Sequence, residues 1–337
     1  MSADTAIAGG RGWSLPHPYG TRSLLIAIGA LLLLWYTGQR VEMGRMLSLT
    51  GEAVMAQAGL VERSQVADGL GAVVSRLVPI QISDRQDVGR IENFDARNLP
   101  WLAHLETVET REDRMNPATS RLESHVVRTT YLVRPLGYLQ HVAMKMLETL
   151  EIALWGTLIA ALIGLPLALL SARNMMPSAP VRAVARTIVA VLRAVPELVS
   201  ALLLVIAYGF GPIAGVLALG LHAAGFLGKF YAEDMENADP KPQEALIAIG
   251  AGRLAMWRFA ILPQVMPQYI AYTLYILDRN VRMATVIGLV GAGGIGQELK
   301  GRYDMYEYGH VGTILIAILL VVLLLDQCAA RLRRSFL

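Results

Sequence analysis

The hydrophobic positions of this 337-residue chain are gathered into long apolar runs separated by short polar connections. The clearest run is TILIAILLVVLLL at 313–325, which carries no charge at all. With its flanks it approaches the roughly 20 residues needed to cross a hydrocarbon core of about 30 Å. Runs of this kind occupy 23–38, 152–170, 189–208, 213–230, 269–290 and 311–325, and each predicts a membrane-spanning helix. The first run follows Arg11 and Arg22, as the core of a signal peptide would, but no small-x-small cleavage site comes after it. It ends in Trp35 and Tyr36, a pair suited to the membrane interface, and so reads as a retained anchor.

Composition agrees with this pattern: 17% of residues are charged and the mean hydropathy is +0.46, against about 25% charged in soluble chains. The placement of charge orients the runs. Arg173, Arg182 and Arg186 lie between the second and third, and Lys229, Lys241, Arg253 and Arg258 surround the connection from fourth to fifth. Arg331, Arg333 and Arg334 follow the sixth. Positive charge marks cytoplasmic segments, so both termini are predicted inside. Residues 39–140 then lie outside, with 12 arginines against 13 acidic residues. That segment has an apolar stretch at 70–82 too short to span and a polar run at 83–128, and reads as an extracytoplasmic helical insertion. The predicted organisation is residues 1–38 as N-terminus and first span, 39–140 as the outside segment, and 141–337 as a five-helix core. A single cysteine, Cys328, excludes an intrachain disulfide framework and a multi-cysteine metal site.

The connection at 238–267 carries the most specific pattern. Asp239 is a suitable N-cap with Pro240 in the first turn, and Glu244 near the start suits the helix dipole. Gly250 and Gly252 tolerate positive φ and can end that helix. A second helix is predicted from 253 to 262, stopping before Pro263. This helix–elbow–helix resembles the EAA loop of permease subunits of binding-protein-dependent ABC importers. Glu244, Ala245, Gly250, Leu262 and Pro263 stand at the pattern's spacing, while Leu246 replaces an alanine and Ala260 an isoleucine. The resemblance implies that this loop docks on a separate ATPase subunit, with these five residues serving coupling.

Four segments sharpen the likeness: RAVPELVSALLLV, GFGPIAGVLALGLHAAGFLGKF, ILPQVMPQYIAYTLY and DRNVRMATVIGLVGAGGIG. Together they look like the phosphonate importer permease family, whose relatives take phosphite or hypophosphite, from about residue 147 to the C-terminus. The implied fold is an all-α polytopic membrane protein with six transmembrane helices, the type I ABC importer permease fold. The implied partners are two ATPase subunits, an extracytoplasmic solute-binding protein and a second permease, favouring a homodimer, with membrane lipid around it and no nucleic acid. ATP and Mg would act on the ATPase, with no cofactor in this chain, and the location would be a bacterial inner membrane.

Charged residues inside spans are costly and usually face a bundle interior or a water-filled path. Arg193 and Glu197 lie four apart near Pro196, which predicts a kink, and they either pair or line the path. Asp278, Arg282 and Thr285 share one face of the fifth span, with Asn280 on the other side, and all four are candidates for the substrate path. Guanidinium geometry suits phosphate-like oxygens, so Arg282 and Thr285 are candidates for an anion path, with Asp278 holding Arg282. The alternative is an Asp278–Arg282 pair that only fixes helices. His222 sits mid-span and reads as a packed histidine or a path residue. GAGGIG supplies Gly291, Gly293, Gly294 and Gly296, but no βαβ unit surrounds it, so a tight turn or close helix approach near an outer gate is expected. No Walker A motif is present; Gly228-Lys229 is followed by Phe230. An independent channel or secondary transporter, an ABC permease for another solute, and a membrane-embedded hydrolase are the competing readings. The elbow argues against the first, and the missing metal cluster or supported nucleophile against the last.

Overall fold

The structure is a computed structural model that describes residues 21–59, 64–92, 94–96, 98–116 and 121–336. The predicted cytoplasmic N-terminus before residue 21 lies outside the described residues. The chain divides into two compact units, 1–75 and 76–337. In the first, α1 (Thr21–Arg40) holds the first apolar run and leads through Glu42, at φ 54°, into α2 (Met43–Gln57). Most of α3 (Gln65–Leu77) completes this unit.

The second unit opens with a three-stranded antiparallel sheet, which corrects the expected helical insertion and the all-α class. Strands β1 (Asp84–Asp87), β2 (His104–Asn116) and β3 (Arg121–Arg134) are ordered β1-β3-β2. Asp84 stands opposite Arg134, and His104 opposite Val133. The physical reason lies in VVRTTYLV at 126–133, where six of eight residues are β-branched or aromatic and favour a pleated strand despite the polar surroundings. The fold is therefore mostly helical, with a sheet outside the apolar runs.

The bundle is built on α4 (Gly137–Ser171) and α7 (Pro212–Asn237). Their contact is lined by Ala153, Ala160, Ala168, Ala218, Ala223 and Ala224, all fully buried. A Cβ on Gly164 would stand 3.2 Å from the Gly228 nitrogen, so the two backbones come close together. Packing through small residues is how helices associate in lipid, where hydrophobic burial offers little between them. Around this pair lie α10 (Leu262–Gly288), the short α11 (Gly294–Asp304) and α12 (Tyr308–Phe336).

The third run breaks at Pro196, where a kink was expected. It forms α5 (Ala179–Ala194) and α6 (Glu197–Tyr208), bent by 88° at the break. Pro196 cannot donate a backbone hydrogen bond, and the residue before it is driven to extended geometry, here Val195 at ψ 119°. By length and composition four described helices can cross a membrane, or five if the bent pair is one span. Helix α10 is not among them, and it carries Asp278, Arg279 and Arg282.

The connection after α7 forms α8 (Pro240–Ala248), whose N-cap Asp239 accepts a hydrogen bond from the Lys241 amide at 3.0 Å. Gly250, at φ 78°, ends it, with its amide donating to the Ile247 carbonyl at 2.9 Å. Helix α9 (Arg253–Met256) then follows, but it does not stop at Pro263 as expected. A π-turn at Trp257–Ile261 re-pairs the backbone, the Leu262 amide bonding to the Trp257 carbonyl, and the chain runs on into α10. Pro263 falls directly after the π-turn, at the second residue of α10.

On the sheet side, the Gln81 amide donates to the Gly309 carbonyl at 3.1 Å, and Thr313 Oγ1 donates to the Gln81 carbonyl at 2.6 Å. Arg134 pairs with Asp84, tying β3 to β1 beside the start of α4. Glu298 of α11 accepts from Arg302 at 2.7 Å and lies 3.1 Å from His141. Burial alone would raise the Glu298 carboxyl, but hydrogen bonds and charge from Arg302 and His141 hold it below the ordinary carboxylate range.

Candidate functional site

Three helices converge on Glu197, His222 and Arg279, at the first turn of α6, the middle of α7 and the last third of α10. Arg279 Nη2 donates to Glu197 Oε1 at 2.7 Å and stands 3.2 Å from His222 Nε2. His222 Nε2 is also 3.2 Å from Glu197 Oε2, and its Nδ1 lies 2.9 Å from the Val195 carbonyl oxygen. The His222 and Glu197 side chains are 8% and 12% exposed, and that of Arg279 is 25% exposed. With Nδ1–H donating to Val195, a neutral His222 accepts from Arg279; a protonated ring would instead donate to Glu197. The break between α5 and α6 makes this possible, because it leaves the Val195 carbonyl outside helical pairing and points the start of α6 at α7.

Arg193 does not pair with Glu197, as the i, i+4 spacing had allowed, because the two lie on opposite sides of the 88° break. The Arg193 guanidinium instead stands 5.7 Å from the Phe226 ring centroid, and that of Arg279 stands 5.0 Å from the same ring. Such cation–π geometry holds a guanidinium without neutralising it.

On α10, Arg282 pairs with Asp278 one turn before it and with Asp326 of α12 at 3.0 Å. Thr285 Oγ1 reaches back to the Val281 carbonyl at 3.4 Å. Asn280 is 2% exposed, and its Nδ2 donates to Thr157 Oγ1 of α4 at 2.9 Å, a buried interhelical bond. The candidates therefore divide: Arg282 faces α12, Asn280 faces α4, and Glu197 with His222 faces a residue not singled out from the sequence, Arg279. A count of charge within the span was the available signal. Helix α10 holds two arginines and one aspartate in five residues, so one arginine needs an acid from another helix.

The glycine motif forms the turn from α10 to α11. Gly291, Gly293 and Gly294 have φ of 94°, 85° and 71°, values that side-chain-bearing residues rarely adopt. The Gly291 carbonyl accepts from Gly211 at 3.0 Å, while Gly294 and Ile295 donate to Glu148 and Thr149 of α4 at 3.0 and 2.8 Å. The free amides that open α11 are thus satisfied by another helix, with a carboxylate at the positive end of the dipole. Gly296 faces α10 directly. At the other end of the bundle, Glu244, Ala245 and Gly250 are exposed, together with Ile247, Ile249 and Leu254 at 60%, 77% and 75%.

Comparison with known proteins matches residues 164–336 to the family described as binding-protein-dependent transport system inner membrane component. HtxE of Stutzerimonas stutzeri, named as a phosphite transport system permease, is 54% identical over 77% of this chain and 99% of its own length. PtxC of the same organism, a phosphite transport system permease protein, is 44% identical over 57% of this chain and 70% of its own length. Among solved structures, an inward-facing form of the MetNI methionine ABC transporter superposes with a TM-score of 0.52 at 23% identity, over 58% of this chain and 96% of that one. That likeness shows the fold, a type I ABC importer permease core. A match over more than half the chain and a relative aligned almost end to end leave one assignment: the chain belongs to the family of inner membrane components of binding-protein-dependent transport systems.

Proposed function

We propose that this chain is the membrane-spanning permease subunit of an ABC importer for phosphonate or a related small phosphorus oxyanion, phosphite or hypophosphite. The observation that carries the reading is the 54% identity to a permease named for phosphite transport, over 99% of that protein. In this reading α1, α4, the broken pair α5–α6, α7, α10 and α12 are the six spans, with both termini cytoplasmic. Arginine-rich connections on one side support that orientation. Lipid supplies the solvent that Leu31, Leu32, Leu319 and Leu320 meet, each more than half exposed.

ATP hydrolysis, with Mg, occurs on two partner ATPase subunits. The elbow from Glu244 to Gly250, continued by Leu262 and Pro263 into α10, receives their motion. Exposed Ile247, Ile249 and Leu254 give it an apolar surface to bury in a partner groove. Because α9 runs through the π-turn into α10 without a gap, a push on the elbow moves α10 and its polar residues. Arg282 and Thr285, with Asp278, the group of Glu197, His222 and Arg279, and Arg193 on the other side of the break line the route of the anion, while Asn280 locks α10 to α4. The glycine turn lies at the outer gate. A solute-binding protein delivers the anion from outside, and a second copy of the chain completes the permease.

Two experiments test the reading. Proteoliposomes holding this chain with its ATPase are expected to take up phosphite only when ATP and the binding protein are both supplied. Uptake by this chain alone would make it a channel or secondary transporter. Arg282→Gln is expected to lower uptake by about tenfold, the scale of one lost hydrogen bond to a charged group, at unchanged protein level. Wild-type uptake in that variant would remove Arg282 from the route.

A further inference from the structure

A cavity of about 380 Å³ opens between the end of α4, α5 and the last turns of α7, and its charge is unbalanced. Arg173, Arg186, Arg193 and Lys229 line it against only Glu233 and Glu236. Arg186 is committed: it pairs with Glu236 at 2.6 Å and donates to the Ser171 carbonyl at 3.0 Å. Lys229 stands 3.4 Å from Glu233. The Arg193 and Arg173 guanidiniums have no carboxylate within ion-pair distance among the described residues, although the Arg173 backbone amide donates to Glu236 Oε1 at 2.8 Å.

Two of the residues that line this cavity each carry a buried, unpaired polar atom. Ser171 is 3% exposed and its Oγ has no hydrogen-bond partner, and Arg193 Nε is likewise buried without one. Leaving such groups unsatisfied is costly, and native structures rarely do so unless something else visits. A serine hydroxyl and two unpaired guanidiniums around one cavity form a donor set suited to a tetrahedral oxyanion. The cavity also adjoins the central group, since Arg193 and Arg279 lie against the same Phe226 ring.

We infer that this cavity is an oxyanion-binding site at the cytoplasmic exit of the permease, holding the transported phosphorus oxyanion through Arg193, Arg173 and Ser171. The inference rests on the permease reading above and adds a second station to it. A site on a conducting route must bind weakly enough to release, and the Glu233 and Glu236 carboxylates serve that by keeping the excess charge small. One consequence is feedback: oxyanion accumulated inside reoccupies the site and slows further import.

The permease–ATPase complex, without binding protein, is titrated with inorganic phosphite in nanodiscs of phosphatidylcholine. Wild type is expected to bind, and Arg193→Gln and Arg173→Gln each to bind at least about tenfold more weakly. Lys300→Gln, on α11, is expected to match wild type. Arg173 is exposed, so its variant carries the test if Arg193→Gln does not fold. In proteoliposomes, phosphite loaded inside is expected to slow wild-type uptake and to slow uptake by Arg173→Gln much less.

Equal affinity in both arginine variants, or no binding to wild type, overturns the site. Loss of phosphite binding when phosphatidylglycerol is added to the discs also overturns it, and assigns the cavity to a lipid headgroup. ATP-driven phosphite uptake in the same preparations separates the two ideas. Uptake without cavity binding defeats the exit site alone, whereas ATP-driven uptake of another solute and not phosphite defeats the substrate reading.

Discussion

Replacing Arg279 by glutamine is expected to cut uptake by at least about a hundredfold and to lower the thermal midpoint of the purified protein. The argument is electrostatic. Glu197, 12% exposed, accepts from Arg279 at 2.7 Å, and without that cation only His222 at 3.2 Å remains beside it. Removing one member of a buried pair costs about 3–5 kcal/mol, because the other charge is left uncompensated. That is a large part of a total stability of about 5–15 kcal/mol. The cost in uptake adds to it, since the start of α6 loses its tie to α10. Glu197→Gln combined with Arg279→Gln removes both charges, so the double variant is expected to melt above either single variant. Thermal unfolding of the four proteins in detergent measures the coupling. A single variant as stable as wild type would show that the pair is not a structural tie.

Local signals in the sequence carried the parts of the fold that are local. Asp239 caps α8 and Gly250 ends it, both within a few residues of where their chemistry acts. Apolar runs located α4, α7 and α12, because a long run needs no partner to be recognised. The pairing of Arg193 with Glu197 failed for a definite reason: i, i+4 spacing predicts contact only along an unbroken helix. Pro196 ends that helix, so Glu197 pairs instead with a residue 82 positions away. The sheet was missed through a different confusion. Its charged residues marked 83–128 as polar surface, yet β-branched residues continue to 133 and settle the strand. Polarity reports exposure, whereas backbone preference reports conformation, and the two differ in a strand with a wet face.

The central group and the cavity between α4, α5 and α7 share one structural cause. The α5–α6 break sends the Val195 carbonyl to His222 and Glu197 to Arg279, and leaves Arg193 on the other side without an acid. A straight helix would have neutralised Arg193 with Glu197 and left Arg279 unpaired on α10. The bend therefore moves the uncompensated positive charge from the bundle centre toward the cavity between α4, α5 and α7.

Gly296→Ala is expected to lower the yield of folded protein and, where folded protein is recovered, to lower its thermal midpoint sharply. A Cβ at Gly296 would overlap the Thr285 carbonyl oxygen and stand 2.9 Å from the Gly288 Cα. Both are backbone atoms, so no side chain can swing aside. Nor can the start of α11 retreat. Its first amides are held by Glu148 and Thr149 of α4 at 3.0 and 2.8 Å, and the turn before it uses three glycines at positive φ. Overpacking a well-packed site costs about 1–3 kcal/mol when side chains can adjust, and this site is expected at or above the upper end. Gly301, in the same helix, is the control, because a Cβ there meets nothing within 4 Å. Gly301→Ala is expected to be neutral or to stabilise by about 0.4–1 kcal/mol through the unfolded chain. Comparing the two alanines by thermal unfolding separates helix propensity, which is the same for both, from the close approach of α10 and α11. Equal midpoints for the two variants would mean that the crossing is looser than its geometry shows, and that the glycine turn does not brace this end of the bundle.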